Sequence, residues 1–539
     1  MSLRNALALF LVLSTLALLA GCGNGSGITN PVAPPGGGFG KSDLNGTYVF
    51  SVSGTDNVNG APIAIVGTLS ANGSGGITGG TMDINDPNFT APIPNLSISG
   101  SSNYNVGVDG RGTATLDVST PFGSKLIFDF VLTSSSHGFI IEFDGNATGS
   151  GTLDLQAAGL TQSSFAGSYA FSFAGVDSAG TGAFATVGNF TLDANGTITS
   201  GLQDFNDNGV LIFAGQTLAG QVILGPSASP ATLLTTTPYS EKFDVYAIDA
   251  THLKFIEMDT LPIVSGDAFS QTSTAVPTGN LAFTLGGFVS NSPFASGGFM
   301  VTDGAGNITA ASTEDFNSNG TPGSSPSFSG TYTAGGTGRY TLGSFSNFVG
   351  GSQFAAYPSS GGLLLLEIDT TSLGILNGAA NAQTPGAALA TSKGYGLNLS
   401  GTNLSNGVEV DDIAEFSAES SGTTAIGLID ENFAPGGIPI FDQKLNGTYT
   451  GPDSSGRFGI SASAGNSSNS TLNGGFGLTV YTADGTTFPF IETDNGQVAT
   501  GVLVLQTPSS AIPGVAQSRS HMFVAPPLIR PRAASLKKK

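Results

Sequence analysis

The chain has 539 residues and a formal net charge of −21, and 10% of its residues are charged while 39% are hydrophobic. This length exceeds what one hydrophobic core supports and predicts several domains. The acidic balance excludes nucleic acid as a partner, since phosphates require a basic surface, and the apolar content, with 36 phenylalanines, excludes general disorder.

The first predicted element is a signal peptide at residues 1–21. Arg4 supplies a positive start, and the apolar run ALALFLVLSTLALLA at 6–20 is too short to span a membrane comfortably. The run ends in LAGC at 19–22, which resembles the lipobox of bacterial lipoproteins. The resemblance implies cleavage before Cys22 and attachment of acyl chains to it. An ordinary secretory signal is the alternative.

Cys22 is the only cysteine in the chain and therefore has no disulfide partner. Two or three acyl chains anchor a protein stably, because each buried methylene contributes about 0.8 kcal/mol. Gly23, not aspartate, follows the cysteine. In bacteria with two membranes the resemblance thus implies sorting to the outer membrane. We expect a protein of the bacterial cell envelope whose membrane contact is the lipidated Cys22.

Segments of biased composition flank the body of the chain. Residues 22–43 are rich in Gly, Pro, Ser and Asn, which predicts a flexible tether. Residues 509–539 contain prolines and end in the basic sequence ASLKKK, which predicts a disordered, solvated tail. Contact of this tail with anionic lipid or polysaccharide is the alternative.

The body repeats one unit of about 115 residues, a typical domain size. In each unit a Glu-x-Asp motif closes an apolar run, and an Asp-containing turn segment and a Gly-rich opening strand recur at the same interval. The predicted modules are 44–160, 161–277, 278–390 and 391–508. The four motifs are Glu142 and Asp144, Glu257 and Asp259, Glu367 and Asp369, and Glu492 and Asp494.

The modules are predicted to be all-β. Turn-rich connections separate short strands that are rich in Thr, Val and aromatic residues, and no segment shows a 3.6-residue apolar period. Eight antiparallel strands in so short a module favour an up-and-down barrel, which leaves no strand edges. A β-sandwich is the alternative. In module 1 the strands are expected near 46–53, 62–71, 76–84, 96–106, 111–119, 125–133, 138–144 and 151–156.

Arginine is scarce in the repeated body, and every copy stands at one repeat position. The three are Arg111, Arg339 and Arg457, in modules 1, 3 and 4. Since a guanidinium pairs bidentately with carboxylates, we expect one Arg–carboxylate latch within each module, with the Glu-x-Asp segment as the partner. Module 2 has AGQVIL at 219–224 instead, so Lys242 or Lys254 could substitute, or the latch could be absent.

The Glu-x-Asp motif also permits other interpretations. Residues i and i+2 of a strand share one face, with Cα atoms about 7 Å apart, so the two carboxylates could approach the spacing of a retaining glycosidase pair. A catalytic pair flanks the scissile bond, however, and four copies suit a structural role better than one active site. The latch is preferred. Catalysis, metal binding and exposed charge are the alternatives.

Two copies of the Asp-containing segment match the start of a calcium-binding EF-hand loop. The chelating Glu at loop position twelve is missing, with Gly215 and Pro326 in its place, and strands are expected around it instead of helices. Turn capping by Asp and Asn is preferred, and a weak Ca²⁺ site is the alternative. Its candidate ligands are Asp204, Asn206, Asn208, Asp315, Asn317 and Asn319.

The remaining polar residues give no catalytic signature. His137 and His252 are predicted turn residues, and no cofactor is predicted. We expect a lipid-anchored, non-catalytic envelope protein that acts by binding or adhesion, or as a surface scaffold, with an envelope protein or polysaccharide as its partner. A carrier of a small hydrophobic ligand is the first alternative, although the chain has no tryptophan for such a pocket. An envelope hydrolase is the second.

Overall fold

The computed structural model describes residues 38–57, 60–120, 123–177, 180, 182–224, 231–237, 241–369, 374–384, 388–419, 424–433, 439–465, 475–508 and 528. The predicted signal peptide and Cys22 lie outside these residues. So do the tether as far as residue 37 and the predicted tail apart from Leu528. Among the described residues, no helix is long and apolar enough to cross a membrane.

Module 1 is a nine-stranded antiparallel sheet. Its strands are β1 (Asn45–Asp56), β2 (Pro62–Asn72), β3 (Ile77–Asn85), β4 (Ile93–Ile98), β5 (Asn103–Tyr104), β6 (Arg111–Thr120), β7 (Gly123–Ser134), β8 (His137–Glu142) and β9 (Ala147–Leu155), after a 3₁₀ turn at Lys41–Asp43. They pair in the order β4-β3-β2-β1-β9-β8-β7-β6-β5. Ser99, which follows β4, donates a backbone hydrogen bond from its N to Asp117 O of β6 (2.9 Å). The sheet is therefore curved, with β4 close to β6.

Module 2 has the same arrangement. Its strands are β10 (Gly167–Val176), β11 (Ala183–Leu192), β12 (Ile198–Asp207), β13 (Leu211–Thr217), β14 (Ala219–Leu224), β15 (Ala231–Thr237), β16 (Lys242–Asp249), β17 (His252–Glu257) and β18 (Ile263–Ser270), after a 3₁₀ turn at Gln162–Phe165. They pair in the order β13-β12-β11-β10-β18-β17-β16-β15-β14. The bond from Val222 N to Gly196 O, 2.7 Å, again connects the two ends of the sheet.

Modules 3 and 4 are closed eight-stranded barrels. Module 3 contains β19 (Gly279–Val289), β20 (Ser292–Thr302), β21 (Asn307–Ser318), β22 (Thr321–Gly336), β23 (Arg339–Ser346), β24 (Gln353–Ser359), β25 (Gly362–Glu367) and β26 (Ile375–Ala382). Module 4 contains β27 (Lys393–Asn403), β28 (Val408–Ala418), β29 (Thr424–Phe433), β30 (Ile440–Tyr449), β31 (Arg457–Ala464), β32 (Phe476–Tyr481), β33 (Thr487–Glu492) and β34 (Gln497–Leu505).

The predicted all-β fold of four antiparallel modules is confirmed, and the described strands fall inside the four predicted ranges. The strand count in module 1 is wrong by one. The segment predicted as one strand at 96–106 is divided, because residues 99–102 form a turn with Ser102 N bonded to Ser99 O at 3.0 Å. This turn separates β4 from β5 and leaves the sheet of module 1 open where the barrels of modules 3 and 4 close.

Each module is built around its own cluster of buried apolar side chains. In module 1 the cluster includes Phe50, Phe128 and Phe130, and in module 4 it includes Tyr395, Phe416 and Phe488. Alternate residues of each strand point inward, as strand geometry requires, and modules 2 and 3 are filled in the same way. The inward faces of the four modules therefore form four separate cores.

Outward-facing apolar residues join the modules in a closed cycle. One buried cluster connects modules 1 and 2 (Val66 with Ile256), and another connects modules 2 and 3 (Val187 with Leu364). Two more connect modules 3 and 4, and modules 4 and 1. We call these contacts junctions 1–2, 2–3, 3–4 and 4–1. The described residues of the four modules lie in one compact unit.

Candidate functional site: the junctions between modules

An Asp-x-Asn pair on the third strand of each module reaches into the next module. Residues i and i+2 of a strand share a face, so both side chains point across the junction. The Asp lies in the Asp-containing segment recognised in the sequence, and the Asn follows two positions later. The pairs are Asp83 and Asn85 in β3, Asp204 and Asn206 in β12, Asp315 and Asn317 in β21, and Asp430 and Asn432 in β29.

The asparagine donates hydrogen bonds to main-chain carbonyls around the Glu-x-Asp turn of the next module. At junction 3–4, Asn317 Nδ2 donates to the carbonyl oxygens of Glu492 (3.0 Å), Asp494 (2.9 Å) and Gln497 (2.9 Å). The other three asparagines make equivalent bonds. These are Asn85 to Glu257 O (2.7 Å) and Asp259 O (3.0 Å), Asn206 to Glu367 O (2.8 Å) and Gly374 O (3.0 Å), and Asn432 to Glu142 O (2.7 Å) and Ala147 O (2.9 Å).

We expect Asn317→Ala to destabilise the protein by about 2–4 kcal/mol, because three buried carbonyls lose their side-chain donor. Thermal or denaturant unfolding of the full chain measures this change. Asn195→Ala is the matched control, since Asn195 is exposed at a turn, and it should stay within about 0.5 kcal/mol. Equal effects of the two substitutions would mean that the junction contact contributes nothing beyond a surface asparagine.

At two junctions the aspartate of the pair forms an ion pair with an arginine of the next module. At junction 2–3, Arg339 binds Asp204 bidentately, with Nε–Oδ2 at 2.8 Å and Nη2–Oδ1 at 2.6 Å, and Tyr357 donates its hydroxyl to Asp204 at 2.5 Å. The hydrogen bond to Asp204 is the main reason why the pKa of Arg339 is raised. Burial raises the pKa of Tyr357 well above its usual value, and the charge of Asp204 raises it further.

Junction 3–4 repeats this geometry. Arg457 binds Asp315 with Nε–Oδ2 at 2.7 Å and Nη2–Oδ1 at 2.8 Å, and Tyr481 donates to Asp315 Oδ2 at 3.0 Å. The arginine side chain is 42% exposed here, against 7% for Arg339. The two pairs therefore have the same hydrogen bonds but different degrees of solvation.

Junction 1–2 uses a tyrosine alone. Tyr246 donates to Asp83 Oδ2 at 2.7 Å, and Asn95 N donates to Asp83 Oδ1 at 2.6 Å. Burial raises the pKa of Asp83 to about 7. Lys254, which the sequence suggested as a substitute for arginine, instead binds Asp267 of its own module at 2.8 Å.

Junction 4–1 surrounds one arginine with aspartates. Arg111 contacts Asp109 of its own module through Nε at 3.0 Å, and it contacts Asp430 (2.6 Å) and Asp442 (2.7 Å) of module 4 through Nη1 and Nη2. Burial lowers the pKa of Arg111, but Asp430, Asp109 and Asp442 more than compensate and raise it.

The arginines thus lie where a latch was predicted but contact a different acid. The predicted partner was the Glu-x-Asp segment of the same module, whereas Arg339 and Arg457 bind the Asp-x-Asn aspartate of the preceding module, and Arg111 binds Asp430 of module 4. Strand parity explains the difference. Glu142 stands opposite Phe128, a core residue, and so faces the barrel interior, away from the outward-facing guanidinium.

The glutamates of Glu-x-Asp are buried inside their modules. Burial, followed by the nearby Asp144, raises the pKa of Glu142 well above its usual value, and burial and Asp494 do the same for Glu492. The pKa of Glu257 rises to about 10, mainly through burial. Glu367 is equally buried. These carboxyls are enclosed within their modules, whereas the two carboxyls of a glycosidase flank the scissile bond of a bound sugar.

The aspartates of Glu-x-Asp bind backbone N–H groups in the first half of the third-last strand of their module, or just before it. The acceptor bonds are Asp144 from Ile127 N (3.2 Å), Asp259 from Lys242 N (2.9 Å), Asp369 from Ser352 N (2.6 Å), and Asp494 from Gly477 N (2.8 Å). Each carboxylate therefore holds the end of one strand against the beginning of the strand that pairs with it.

The residues considered for calcium are used in the junctions and in a hairpin turn. Asn206 Oδ1 accepts from Gly209 N at 2.8 Å, and Asn317 Oδ1 accepts from Gly320 N at 2.9 Å. Asn208 and Asn319 have positive φ, 51° and 49°, as the turn between two strands requires. Within the described ranges, no group of three or more His, Cys, Asp or Glu side chains could hold a metal ion.

The two histidines start strands and bind aspartates. His137 Nδ1 lies 2.7 Å from Asp154, and His252 Nε2 lies 2.7 Å from Asp267. Burial alone would raise the pKa of Asp154, but His137, Lys254 and His252 lower it. His252 and Lys254 belong to module 2, so their electrostatic effect on Asp154 acts across junction 1–2.

Sequence reasoning missed the tyrosines, Asn85 and Asn432, and it considered Asn206 and Asn317 only as turn caps or weak calcium ligands. A signal was available, because Tyr246, Tyr357 and Tyr481 stand at one repeat position, three residues after the strand residue that pairs with the Glu of Glu-x-Asp. Asn85, Asn206, Asn317 and Asn432 likewise recur two residues after the aspartate.

Comparison with known proteins gave no match to a family model and no match among curated proteins. The solved structures with some likeness include transferrin binding protein B from Neisseria meningitidis serogroup B (11% identity, TM-score 0.18, 69% of this chain and 84% of that one) and from Haemophilus parasuis (10%, 0.19, 70% and 84%). Intact Ap-TbpB matches at 9% identity and TM-score 0.16, over 73% of this chain and 92% of that one. Scores this low do not establish a common fold or function.

Proposed function

We propose that the protein is a lipid-anchored scaffold of the bacterial cell envelope that presents four β modules for binding and performs no catalysis. The carrying observation is the use of the recurring polar residues. Every Asp-x-Asn pair, and every arginine at the shared repeat position, contacts a neighbouring module. Four of the residues considered as calcium ligands thus hold the modules together, and the partner would bind the assembled body; they are Asp204, Asn206, Asp315 and Asn317.

The hydrophobic-carrier alternative receives less support. The interiors of all four modules hold clusters of buried aromatic and aliphatic side chains, such as Phe171, Phe173 and Phe255 in module 2. Phe173 and Phe255 lie with ring centroids 4.9 Å apart, at the distance of a packed aromatic pair. A pull-down with envelope fractions, set beside lipid extraction of the purified protein, discriminates between a binding scaffold and a carrier.

Membrane attachment through Cys22 is tested by metabolic labelling with an alkyne fatty acid. We expect the wild-type chain to take up the label and to fractionate with membranes, and Cys22→Ala to lose at least about 90% of the label, because Cys22 is the only thiol for acylation. Gly23→Ala, which leaves the thiol in place, serves as the control. Equal labelling of wild type and Cys22→Ala would disprove the lipid anchor.

A further inference from the structure

Module 4 carries acids on a strand face where the other modules carry uncharged residues. The pairing of the second and third strands shows which residues are equivalent in the four modules. The Asp of Asp-x-Asn pairs with Val66 in module 1 (Asp83), Val187 in module 2 (Asp204), Gly297 in module 3 (Asp315) and Ile413 in module 4 (Asp430). Two residues before those partners, module 4 has Asp411 and the other modules have alanine. Module 4 has Glu409, Asp411 and Glu415 at three positions of this face. The equivalent residues are Pro62, Ala64 and Thr68 in module 1, Ala183, Ala185 and Asn189 in module 2, and Pro293, Ala295 and Phe299 in module 3.

This acidic face of β28 is turned towards module 1. Ile413, between Asp411 and Glu415 on the same face, packs with Val131 and Phe139 of module 1. Glu409 Oε2 accepts a hydrogen bond from Thr55 Oγ1 of module 1 at 2.5 Å. The three acids therefore line junction 4–1.

The junction buries these carboxyls with little compensation. Neither Asp411 oxygen has a hydrogen-bond donor at bonding geometry among the described residues, although Ser400 lies near enough to lower its pKa. Glu415 accepts one bond, from Ser417 Oγ at 2.8 Å. Asp411 is 0% exposed and Glu415 is 4% exposed.

The other charged groups at this junction are also mainly acidic. Module 1 contributes Asp109 and Asp129, and module 4 contributes Asp430 and Asp442. Glu142 and Asp144 lie at the turn that Asn432 contacts. Within the described part of the chain, Arg111 is the cation whose ion pairs join the two modules here. One guanidinium cannot neutralise this number of carboxylates, and burying unpaired charge is strongly unfavourable.

Proton uptake relieves this excess of negative charge. Burial raises the pKa of Asp411 to about 8 and that of Glu415 to about 8. Burial and the charge of Asp411 raise the pKa of Glu409 well above its usual value, and burial and Asp430 do so for Asp129. When these groups lose their protons, the ionised carboxylates are more stable in water than in the buried junction, so ionisation favours the open junction.

We propose that junction 4–1 is a pH-controlled clasp, closed while its buried carboxyls hold protons and opening when they lose them, with the four modules and the other junctions still folded. Junctions 1–2, 2–3 and 3–4 have no counterpart of the three β28 acids, because proline, alanine, threonine, asparagine or phenylalanine stands at those positions. Opening would separate Val131, Phe139 and Phe143 from Ile413 and Val502.

Amide hydrogen exchange of the full chain between pH 5.5 and 8.5, corrected for intrinsic exchange rates, tests the clasp. Peptides that cover β8 and β28 report junction 4–1, and peptides that cover β11 and β25 report junction 2–3. We expect protection at junction 4–1 to fall about tenfold or more relative to junction 2–3, because one unit of pKa shift corresponds to a tenfold change. A parallel change at both junctions would overturn the proposal.

The variant E409Q/D411N separates titration from packing, since it keeps the shape of both side chains but cannot ionise. Its relative protection at junction 4–1 should fall several-fold less than that of wild type over the same range, because only Glu415 and Asp129 of the four carboxyls still ionise. If this variant does not fold, E409A/D411A replaces it, because module 2 has alanine at both positions (Ala183 and Ala185). A folded variant of either kind that keeps the wild-type pH dependence would also overturn the proposal.

Discussion

Replacing Arg339 by methionine should lower the free energy of unfolding by about 3–5 kcal/mol, the usual effect of breaking a buried ion pair by removing one partner. The substitution leaves Asp204 fully buried, and among the described residues Tyr357 and Gly215 N remain as donors to its carboxylate. Methionine fills much of the volume of arginine, so the loss reports the uncompensated charge more than a cavity. Chemical denaturation of the full chain at pH 7 measures it.

Arg457→Met is the matched control for this substitution. Arg457 makes the same bidentate contact with the equivalent aspartate, Asp315, but its side chain is 42% exposed. Water can solvate that pair, so we expect a loss of about 1 kcal/mol. The double variant Arg339→Met with Asp204→Leu should recover part of the stability lost in the single variant. Equal losses for Arg339→Met and Arg457→Met would contradict the role given to burial.

The repeated sequence predicted the fold class because the residue patterns that specify strands and turns are local. Each module carries its own apolar alternation and turn residues, and these determine a β module without reference to its neighbours. The open sheets of modules 1 and 2 were not predicted, since a barrel was favoured for every module. In module 1 the opening depends on the turn at Ser99–Ser102, which the sequence does not distinguish from a continuing strand.

The partners of the arginines could not be predicted in the same way. Arg339 and Asp204 lie 135 residues apart, and their contact depends on how one module packs on another. Strand parity could have excluded the predicted partner, since the Glu of Glu-x-Asp is flanked by outward-facing residues such as Ile141 and Ile256, which pack at the junctions. The sequence thus identified positions that matter, and the structure assigned their contacts.

The protein should be most stable at mildly acidic pH and lose stability towards pH 8. Burial raises the pKa of Asp86 to about 6 and those of Asp83, Glu241 and Glu314 to about 7. In the unfolded chain such acids have a pKa of about 4. Below this pH they are protonated in both the folded and the unfolded chain, so their full contribution to the stability of the folded chain is present. As pH rises from about 4.5 to 8, the unfolded chain has released these protons and the folded chain has not, so each group reduces stability until its folded pKa is passed.

Thermal unfolding of the full chain from pH 4.5 to 8.5 at constant ionic strength measures this effect. We expect Tm to fall by at least about 5 °C between pH 5 and pH 8, since several groups each contribute more than one unit of pKa shift. At more acidic pH the trend reverses. Burial opposes ionisation of Asp267, but Lys254 and His252 lower its pKa, so this carboxylate contributes stability that is lost as pH falls below the usual range of an aspartate.

Asp83→Asn isolates one of these groups at a junction. An amide can accept the hydrogen bond from Asn95 N through its oxygen and can donate to the hydroxyl of Tyr246, so the contact survives without an ionisable group. The variant should keep the stability of wild type near pH 5 and lose less of it by pH 8. The loss in free energy of unfolding between pH 5 and pH 8 should be smaller than in wild type by up to about 1.4 kcal/mol for each unit of pKa shift that is removed. A wild-type Tm that stays constant or rises from pH 5 to pH 8 would show that the buried carboxyls ionise without cost, which would contradict the stabilising role of their protons.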